Sequence, residues 1–213
     1  MKAPSIVIVD YGLGNIFSVK RALEHSGGQN VLISSNANVI LDADYLVLPG
    51  VGAFENGIRQ LYDRELVDPI VQYAKEGKPL LGICLGMQLL ATTSEEFGIN
   101  IGLNIIPGEV VPIPNKSADG VEQKVPYIGW SELNKVGDWE NGLFDGVAER
   151  SFVYLVHSYH MKPSDLTAVI AETNYCGHRI TIGIKMENVV GFQFHPEKSG
   201  NVGLAMLRSF LQK

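Results

Sequence analysis

The fold is decided by the stretch Leu80-Leu81-Gly82-Ile83-Cys84-Leu85-Gly86-Met87-Gln88. Its first half is an apolar run that predicts a buried strand, and its second half predicts the start of a helix. Glycines stand two positions before and two positions after the cysteine, which is the spacing of a nucleophile elbow. In such an elbow a strained strand-to-helix turn leaves no room for side chains at the glycine positions. We therefore expect Cys84 to project into solvent-accessible space at the carboxyl edge of a sheet.

Cys84 is the candidate nucleophile of the chain. A helix that begins directly after a cysteine favours the thiolate, which is the attacking form of the side chain. The alternative is a small buried cysteine that packs between strand and helix, and the flanking glycines favour the nucleophile. The second cysteine, Cys176, lies in a segment typical of a hairpin turn, Asn174-Tyr175-Cys176-Gly177-His178. No elbow precedes it, so we interpret it as incidental.

Strands and helices alternate around the elbow. We predict strands at residues 6–9, 31–34, 45–48 and 79–83, and helices at residues 15–27, 57–75 and 85–95. This alternation indicates parallel strands with helices covering both faces of the sheet. Beyond residue 104 the pattern favours short strands and antiparallel hairpins, at residues 105–113, 127–133, 152–156, 167–172, 180–185 and 190–194. A closing helix is expected at residues 200–211, and the fold class is α/β, with a central, mostly parallel sheet and a smaller antiparallel portion.

Length and composition bound the class of protein. A chain of 213 residues with 46% apolar and 19% charged side chains predicts one globular domain over residues 1–213. A formal net charge of -6 argues against surfaces for nucleic acid or anionic membranes. Two cysteines without a Cys-x-x-Cys pair indicate a reducing compartment, and the N-terminal apolar run is too short for a signal peptide or membrane span. We expect a cytoplasmic protein that binds a small molecule or a protein partner.

His195 is the candidate base. It ends the apolar run of residues 189–194 and is followed directly by Pro196-Glu197. A histidine at a strand terminus with a carboxylate two residues away has the location and the orienting partner of a triad base. The alternative is a strand-end histidine beside a solvated glutamate. The elbow upstream favours a triad of Cys84, His195 and Glu197.

The segment Val156-His157-Ser158-Tyr159-His160 carries two further histidines. Spacing of this kind occurs in metal sites, but along a strand the two rings would point to opposite faces, and no third ligand cluster accompanies them. We expect no metal here. We interpret His157, Ser158 and Tyr159 as a wall of the pocket, and ordinary strand-end polarity is the alternative.

A glycine-rich loop, Pro49-Gly50-Val51-Gly52-Ala53-Phe54, follows the strand predicted at residues 45–48. Loops at the carboxyl edge of such sheets bind ligands. A phosphate cradle is disfavoured because no Gly-Lys-Ser or Gly-Lys-Thr follows. Backbone N–H groups near Val51 and Gly52, joined by that of Leu85, would instead suit a developing tetrahedral oxyanion.

Three of these motifs together resemble the class I glutamine amidotransferases: Gly-Ile-Cys-Leu-Gly-Met-Gln at residues 82–88, Pro-Gly-Val-Gly-Ala-Phe at 49–54 and His-Pro-Glu-Lys-Ser at 195–199. Within that family the chain most resembles the branch of glutaminase subunits that serve imidazole glycerol phosphate synthases. Residues 10–15, 124–130 and 156–159 carry this closer likeness, which spans essentially the whole chain.

The resemblance implies the flavodoxin-like fold of that family, a Cys84–His195–Glu197 triad, an oxyanion strand at residues 50–52 and no cofactor. It also implies a (β/α)₈-barrel partner in a heterodimer, which joins the ammonia to a phosphorylated aminoimidazole precursor in histidine biosynthesis. We expect Asn15 and Lys198 to contact that partner. The residues expected to hold glutamine are Gly50, Gly52, Gln88, Glu96, His157 and Ser158.

Some positions depart from the commonest pattern of that branch. Ser131 stands where asparagine is frequent, His160 where tyrosine or arginine is more usual, and Asn174-Tyr175-Cys176-Gly177 replaces a typical Thr-x-Tyr-Gly. They leave open a paralogous glutaminase that supplies ammonia for modifying a nucleotide-linked surface sugar. Two further interpretations are a stand-alone cysteine hydrolase and a non-catalytic subunit that only binds its partner. Gln88 and the glycine loop favour glutamine over other substrates, and the intact triad counts against a non-catalytic role.

Overall fold

The computed structural model describes residues 3–137 and 142–212. The strands are β1 (Ser5–Val9), β2 (Asn30–Ser34), β3 (Tyr45–Gly50), β4 (Leu80–Cys84), β5 (Thr93–Ser94), β6 (Asn100–Ile101), β7 (Gly108–Pro112), β8 (Tyr127–Glu132), β9 (Asn134–Lys135), β10 (Phe152–His157), β11 (Tyr159–Pro163), β12 (Val169–Tyr175), β13 (His178–Met186) and β14 (Val189–Phe192). The α-helices are α1 (Ile16–His25), α2 (Ala37–Leu41), α3 (Phe54–Asp63), α4 (Val67–Lys75), α5 (Leu85–Leu89) and α6 (Gly200–Phe210). Single-turn 3₁₀ helices occupy Leu166–Ala168 and Pro196–Lys198.

The central sheet orders its strands β2-β1-β3-β4-β14-β13-β12-β9. The first five of these run parallel to one another, and β13, β12 and β9 continue the sheet in antiparallel fashion. Two smaller sheets, β10-β8 and β11-β7-β5-β6, stand beside it. The α/β class with a mainly parallel centre is confirmed, and the antiparallel portion proves to be partly an extension of the central sheet.

Helices cover both faces of the central sheet because its buried strands are apolar on both sides. On one face α1 and α6 pack against side chains of β1, β3 and β4, and on the other face α2, α3, α4 and α5 pack against the alternating residues of the same strands. Along β1, for example, Ile6 and Ile8 belong to the first core, whereas Val7 and Val9 belong to the second. In the described part of the chain, no helix has the length and apolar character needed to cross a membrane.

The elbow between β4 and α5 has the strained geometry that its glycines predict. Cys84 adopts the backbone angles φ 53° and ψ -112°, a combination that residues other than glycine rarely adopt. A Cβ atom at Gly86 would lie 1.8 Å from the carbonyl oxygen of Leu48, and one at Gly82 would lie 2.8 Å from the Cα atom of Met87. Gly86 is therefore required for α5 to approach β3, and Gly82 is required for α5 to approach β4.

The single helix predicted at residues 57–75 is wrong, because the structure has two helices there. At the end of α3, Glu65 adopts a positive φ of 55°, and the N–H of Leu66 donates to the carbonyl of Leu61 at 2.9 Å. This is a Schellman termination built on a residue other than glycine. It turns the fully buried Leu66 into the core. Pro69, in the first turn of α4, was the sequence signal of a new helix start.

The helix predicted at residues 85–95 also ends early, at Leu89. The carbonyls of Leu89 and Leu90 accept hydrogen bonds from the N–H groups of Leu103 and Ile105, at 2.9 Å each. A distant segment thus takes acceptors that a longer helix would have used for itself. The chain then leaves as the short strand β5.

We predict that Gly86→Ala destabilises the protein by at least about 3 kcal/mol, because the added methyl group meets a backbone carbonyl that cannot rotate away. Gly57→Ala is the matched control. Its methyl group would meet only the flexible ends of Leu85 and Leu89, at 3.1 to 3.4 Å, and alanine is the better helix former. Urea unfolding of both variants measures the difference, and equal midpoints would contradict a tightly closed elbow.

Candidate active site

Three neighbouring parallel strands end together and bring the candidate residues to one edge of the sheet. Gly50 at the end of β3 lies in register with Cys84 at the end of β4, and Phe192 at the end of β14 lies in register with Ile83. His195 follows β14 after Gln193 and Phe194. Residues far apart in sequence therefore meet because parallel strands share their carboxyl edge.

A cleft of about 250 Å³ opens at this edge. Its lining contains nearly all of the site residues expected from the sequence, together with Pro126, Val156 and Tyr159. Gly50 lies beneath the lining, where an added Cβ atom would approach the Tyr11 hydroxyl to 2.2 Å. The expected residues that line the cleft are Val51, Gly52, Cys84, Leu85, Gln88, Glu96, His157, Ser158 and His195.

Cys84 lies in the wall of the cleft rather than in open solvent. Only 7% of its surface is exposed, and it meets solvent-accessible space only where it lines the cleft. The other cysteine, Cys176, is exposed. Helix α5, which begins directly after Cys84, spans just five residues.

His195 and Glu197 form a buried pair beside the cysteine. Nδ1 of His195 donates to Oε1 of Glu197 at 2.8 Å, and the two side chains are 3% and 1% exposed. The 3₁₀ turn at Pro196–Lys198 brings the carboxylate back towards the ring. Ser199 fixes the turn, because its hydroxyl donates to the His195 carbonyl at 2.7 Å and accepts from the Tyr154 N–H at 3.0 Å.

The charge of His195 is set by these neighbours. Burial lowers its pKa, but interactions with Cys84 and Glu197 outweigh burial and raise the pKa from 6.5 to about 9. Its Nε2 atom is buried and makes no hydrogen bond with the described residues. The ring is therefore an imidazolium at neutral pH, with one N–H held by Glu197 and the other available to a reacting group.

His157 has the opposite charge state. Burial lowers its pKa from 6.5 to about 4, although a hydrogen bond to the Tyr159 carbonyl opposes the shift. Nδ1 lies 2.9 Å from that carbonyl and must donate to it, which leaves Nε2 as an acceptor. His157 therefore acts in the wall as a neutral polar group. Among the described residues no group of three or more His, Cys, Asp or Glu side chains could hold a metal ion.

Gln88 and Glu96 are held in place at the cleft by hydrogen bonds from other elements. Nε2 of Gln88 donates to the carbonyl of Tyr159 at 2.9 Å and to Oε1 of Gln193 at 3.0 Å. Oε2 of Glu96 accepts from the N–H of Phe54 at 2.6 Å, at the start of α3. Both side chains keep an oxygen that can accept from a donor in the cleft.

Gln193 is a residue of the site that the sequence reasoning missed. It is fully buried, and its Nε2 lies 3.8 Å from Sγ of Cys84. The signal was present in the sequence, because Gln193 is a polar residue within an apolar run that ends at the candidate base. A buried amide in such a place must find partners.

The departures from the commonest pattern lie outside the cleft. Ser131 is buried and its hydroxyl contacts the hydroxyls of Tyr127 and Thr173. Neither it nor His160 nor Cys176 contributes to the cleft lining. The predicted partner contacts, Asn15 and Lys198, are exposed and also outside the lining. The departures therefore supply no residue to the cleft lining.

A family model and two curated relatives match this chain over nearly its whole length. The family model described as glutamine amidotransferase class-I matches residues 7–213. Imidazole glycerol phosphate synthase subunit HisH 1 of Legionella pneumophila (strain Paris) is 47% identical over 211 residues, covering 98% of this chain and 99% of that protein. The corresponding subunit HisH of Aquifex aeolicus is 44% identical over 210 residues, covering 97% of this chain and 96% of the relative.

A solved structure shares the fold at low sequence identity. The crystal structure of a glutamine amidotransferase from Thermotoga maritima superposes with a TM-score of 0.61 at 19% identity, covering 92% of this chain and 77% of that one. The family model and the relatives extend over nearly the whole sequence, including every motif that meets at the cleft. The chain therefore belongs to the class I glutamine amidotransferase family.

Proposed function

We propose that the chain is the glutaminase subunit of an imidazole glycerol phosphate synthase, which hydrolyses glutamine and delivers ammonia to a (β/α)₈-barrel partner in histidine biosynthesis. The observation that carries the proposal is the buried array of Cys84, His195 and Glu197 at the carboxyl edge of the sheet, in a cleft of amino-acid size. Relatives that carry the name of this synthase match over nearly their full length, which supports the histidine pathway. A cytoplasmic location belongs to the same proposal.

The chemistry runs through a thioester. Sγ of Cys84 attacks the side-chain amide carbon of glutamine, and backbone N–H groups at Val51, Gly52 and Leu85 stabilise the oxyanion. The imidazolium of His195 gives its Nε2 proton to the leaving nitrogen, so the C–N bond breaks and ammonia departs. Water then attacks the thioester while His195 takes its proton, and the thiolate leaves as glutamate forms. Glu197 orients the ring and stabilises its charged form throughout.

The cleft offers recognition for the amino-acid end of glutamine. The free oxygens of Gln88 and Glu96 suit the α-ammonium group, since both are acceptors. Nε2 of neutral His157, which also lines the cleft, is a third acceptor. The α-carboxylate of glutamine needs hydrogen-bond donors instead. We assign that role to the hydroxyl of Ser158 and the backbone N–H groups around it.

The surface next to the triad suits a protein partner. Ile128, Trp130 and Phe152 are more than half exposed on the two-stranded sheet β8–β10, and together form the β8–β10 face. Nζ of Lys198 lies 5.8 Å from the ring centre of Tyr154 on β10, whose carbonyl accepts the N–H of His195. An exposed apolar face of this kind marks an interaction site. A barrel docked on it would cover the ammonia-producing cleft.

We predict that Cys84→Ala lowers glutamine hydrolysis by at least about 10⁴-fold, because the thioester can no longer form. Cys176→Ala, which alters an exposed thiol outside the cleft lining, serves as the control and should leave the rate unchanged. Steady-state release of glutamate measures both. Labelling of Cys176 rather than Cys84 by a glutamine-analogue electrophile would reassign the nucleophile.

The raised pKa of His195 gives a pH-dependent prediction. An unfolded histidine titrates near 6.5, so protonation of His195 stabilises the fold fully below that pH, and this stabilisation is lost as the pH rises through about 9. Cys84→Ala and Glu197→Gln should each lower the His195 midpoint by about one pH unit or more, since burial then dominates. Histidine side-chain NMR across about pH 5–10 measures it, with the exposed His25 as the unresponsive control. An unchanged midpoint in both variants would rule out the coupled triad.

The isolated subunit should be a poor glutaminase that its barrel partner activates. Gly52 at φ 100° and Gly50 flank Val51, so the Val51 peptide can rotate and offer its N–H only on docking. One oxyanion donor contributes about 10²–10³ in rate, which sets the expected activation. Glutamine hydrolysis is measured with and without the barrel protein and its aminoimidazole nucleotide. An isolated chain that already runs at the rate of the complex would refute this.

Variants of the β8–β10 face separate docking from chemistry in the same assay. Trp130→Ala should weaken activation by the barrel and leave the basal rate unchanged, because Trp130 is 57% exposed and outside the cleft lining. Leu166→Ala is the matched control. Leu166 is also an exposed apolar residue, but it belongs neither to the β8–β10 face nor to the cleft lining. Ammonia transfer to the aminoimidazole nucleotide, rather than to a nucleotide-linked sugar, decides between the histidine pathway and its paralogue.

A further inference from the structure

Gln193 occupies the interior behind Cys84. It lies directly after β14, two residues before His195, and its surface is fully buried. Its backbone N–H donates to the carbonyl of Ile182 at 2.9 Å, which ties it to the neighbouring strand β13. The backbone is therefore held by the sheet, and full burial keeps the side-chain amide away from solvent. It lies between two residues of the site, Cys84 and Gln88.

The orientation of the Gln193 amide follows from its neighbours. The carbonyl of Tyr159 can only accept, so the end of the Gln88 amide that lies 2.9 Å from it must be the NH₂ group. The same NH₂ group lies 3.0 Å from Gln193, so the facing atom of Gln193 must be its oxygen. The other end of the Gln193 amide is then NH₂, and it faces Sγ of Cys84 at 3.8 Å. A fixed backbone acceptor thus dictates that a donor faces the sulfur.

We propose that Gln193 is a further residue of the catalytic site, whose Nε2–H donates to the Cys84 thiolate and whose Oε1 ties that thiolate to the substrate-binding amide of Gln88. This inference rests on the proposed role of Cys84 as the nucleophile. Gln193 transfers no proton. It stabilises negative charge on sulfur before attack on glutamine, and again when the thioester breaks and the thiolate leaves.

The placement also explains why a glutamine is tolerated in this interior. A buried amide without partners costs free energy, and here both ends of the amide have one. His195 and Gln193 both act on the sulfur, the first as a cation and the second as a neutral donor. Because the neutral donor does not titrate, it can donate to the sulfur at every pH at which the thiolate exists.

The test compares thiol reactivity in Gln193→Met and Gln193→Leu with that of the unaltered chain. Methionine keeps the length of the side chain and removes the donor, whereas leucine checks that the result does not depend on one replacement. Gln123→Leu is the control, because Gln123 donates to the carbonyl of Pro114 and lies outside the cleft lining. Alkylation by iodoacetamide is followed by peptide mass spectrometry between about pH 5 and 10, a range that spans ordinary thiol titration. The exposed Cys176 in the same molecule is the internal reference.

A hydrogen bond to a charged group contributes about 1.5–3 kcal/mol, which corresponds to a shift of about one to two pH units. We expect the midpoint of the Cys84 profile to rise by that amount in both Gln193 variants, with Cys176 unaffected and kcat for glutamine hydrolysis lowered at least tenfold. Gln123→Leu should match the unaltered chain. Thermal unfolding in the same buffers establishes that the variants are folded.

Superimposable Cys84 profiles in the folded Gln193 variants would overturn the inference and leave the proposed function intact. Loss of glutamine hydrolysis with an unchanged Cys84 profile would also overturn it, since Gln193 would then act only through Gln88. Failure of the proposed function has a different signature, namely full glutamine hydrolysis by Cys84→Ala. The two failures are therefore distinguishable in one set of proteins.

Discussion

The structure depends on one steric constraint, the close approach of helix α5 to strands β3 and β4 at the elbow. The carbonyl of Leu48 lies where a side chain of residue 86 would have to begin, and the backbone of Met87 lies against Gly82. This packing holds Cys84 at a positive φ, which the surrounding sheet must stabilise because the conformation is unfavourable by itself. The position of the thiol is thus set by the core of the protein and not by its own side-chain preferences.

Burial then determines the electrostatics around that thiol. A histidine that is almost fully buried would ordinarily lose its proton, as His157 does a short distance away. His195 keeps its proton because a carboxylate on one side and the cysteine on the other outweigh the cost of burial. The same low exposure strengthens these interactions, because water screens them little. Two histidines that line the same cleft therefore differ in charge because their neighbours differ: His195 is protonated and His157 is neutral.

The β8–β10 face and the cleft are joined through short connections. β10 supplies both the exposed Phe152 and the half-buried Tyr154 and, at its end, His157 of the cleft wall. The backbone of β10 also accepts a hydrogen bond from His195. The β8–β10 face is therefore linked to His195 through the backbone, without a long relay of side chains.

Local patterns in the amino-acid sequence suffice for the class of fold, the elbow and most residues of the cleft. Apolar periodicity, paired glycines and a His-Pro-Glu turn have local physical causes, so Cys84, His195 and Glu197 could be named from them. The ends of α3 and α5 depend on tertiary contacts, because Leu66 packs into the core and the carbonyls of Leu89 and Leu90 find donors farther along the chain. The burial of Cys84 and the approach of Gln193 to its sulfur likewise follow from the assembled sheet. Burial and hydrogen-bond polarity are properties of neighbours brought together by the sheet, and no single segment of sequence contains them.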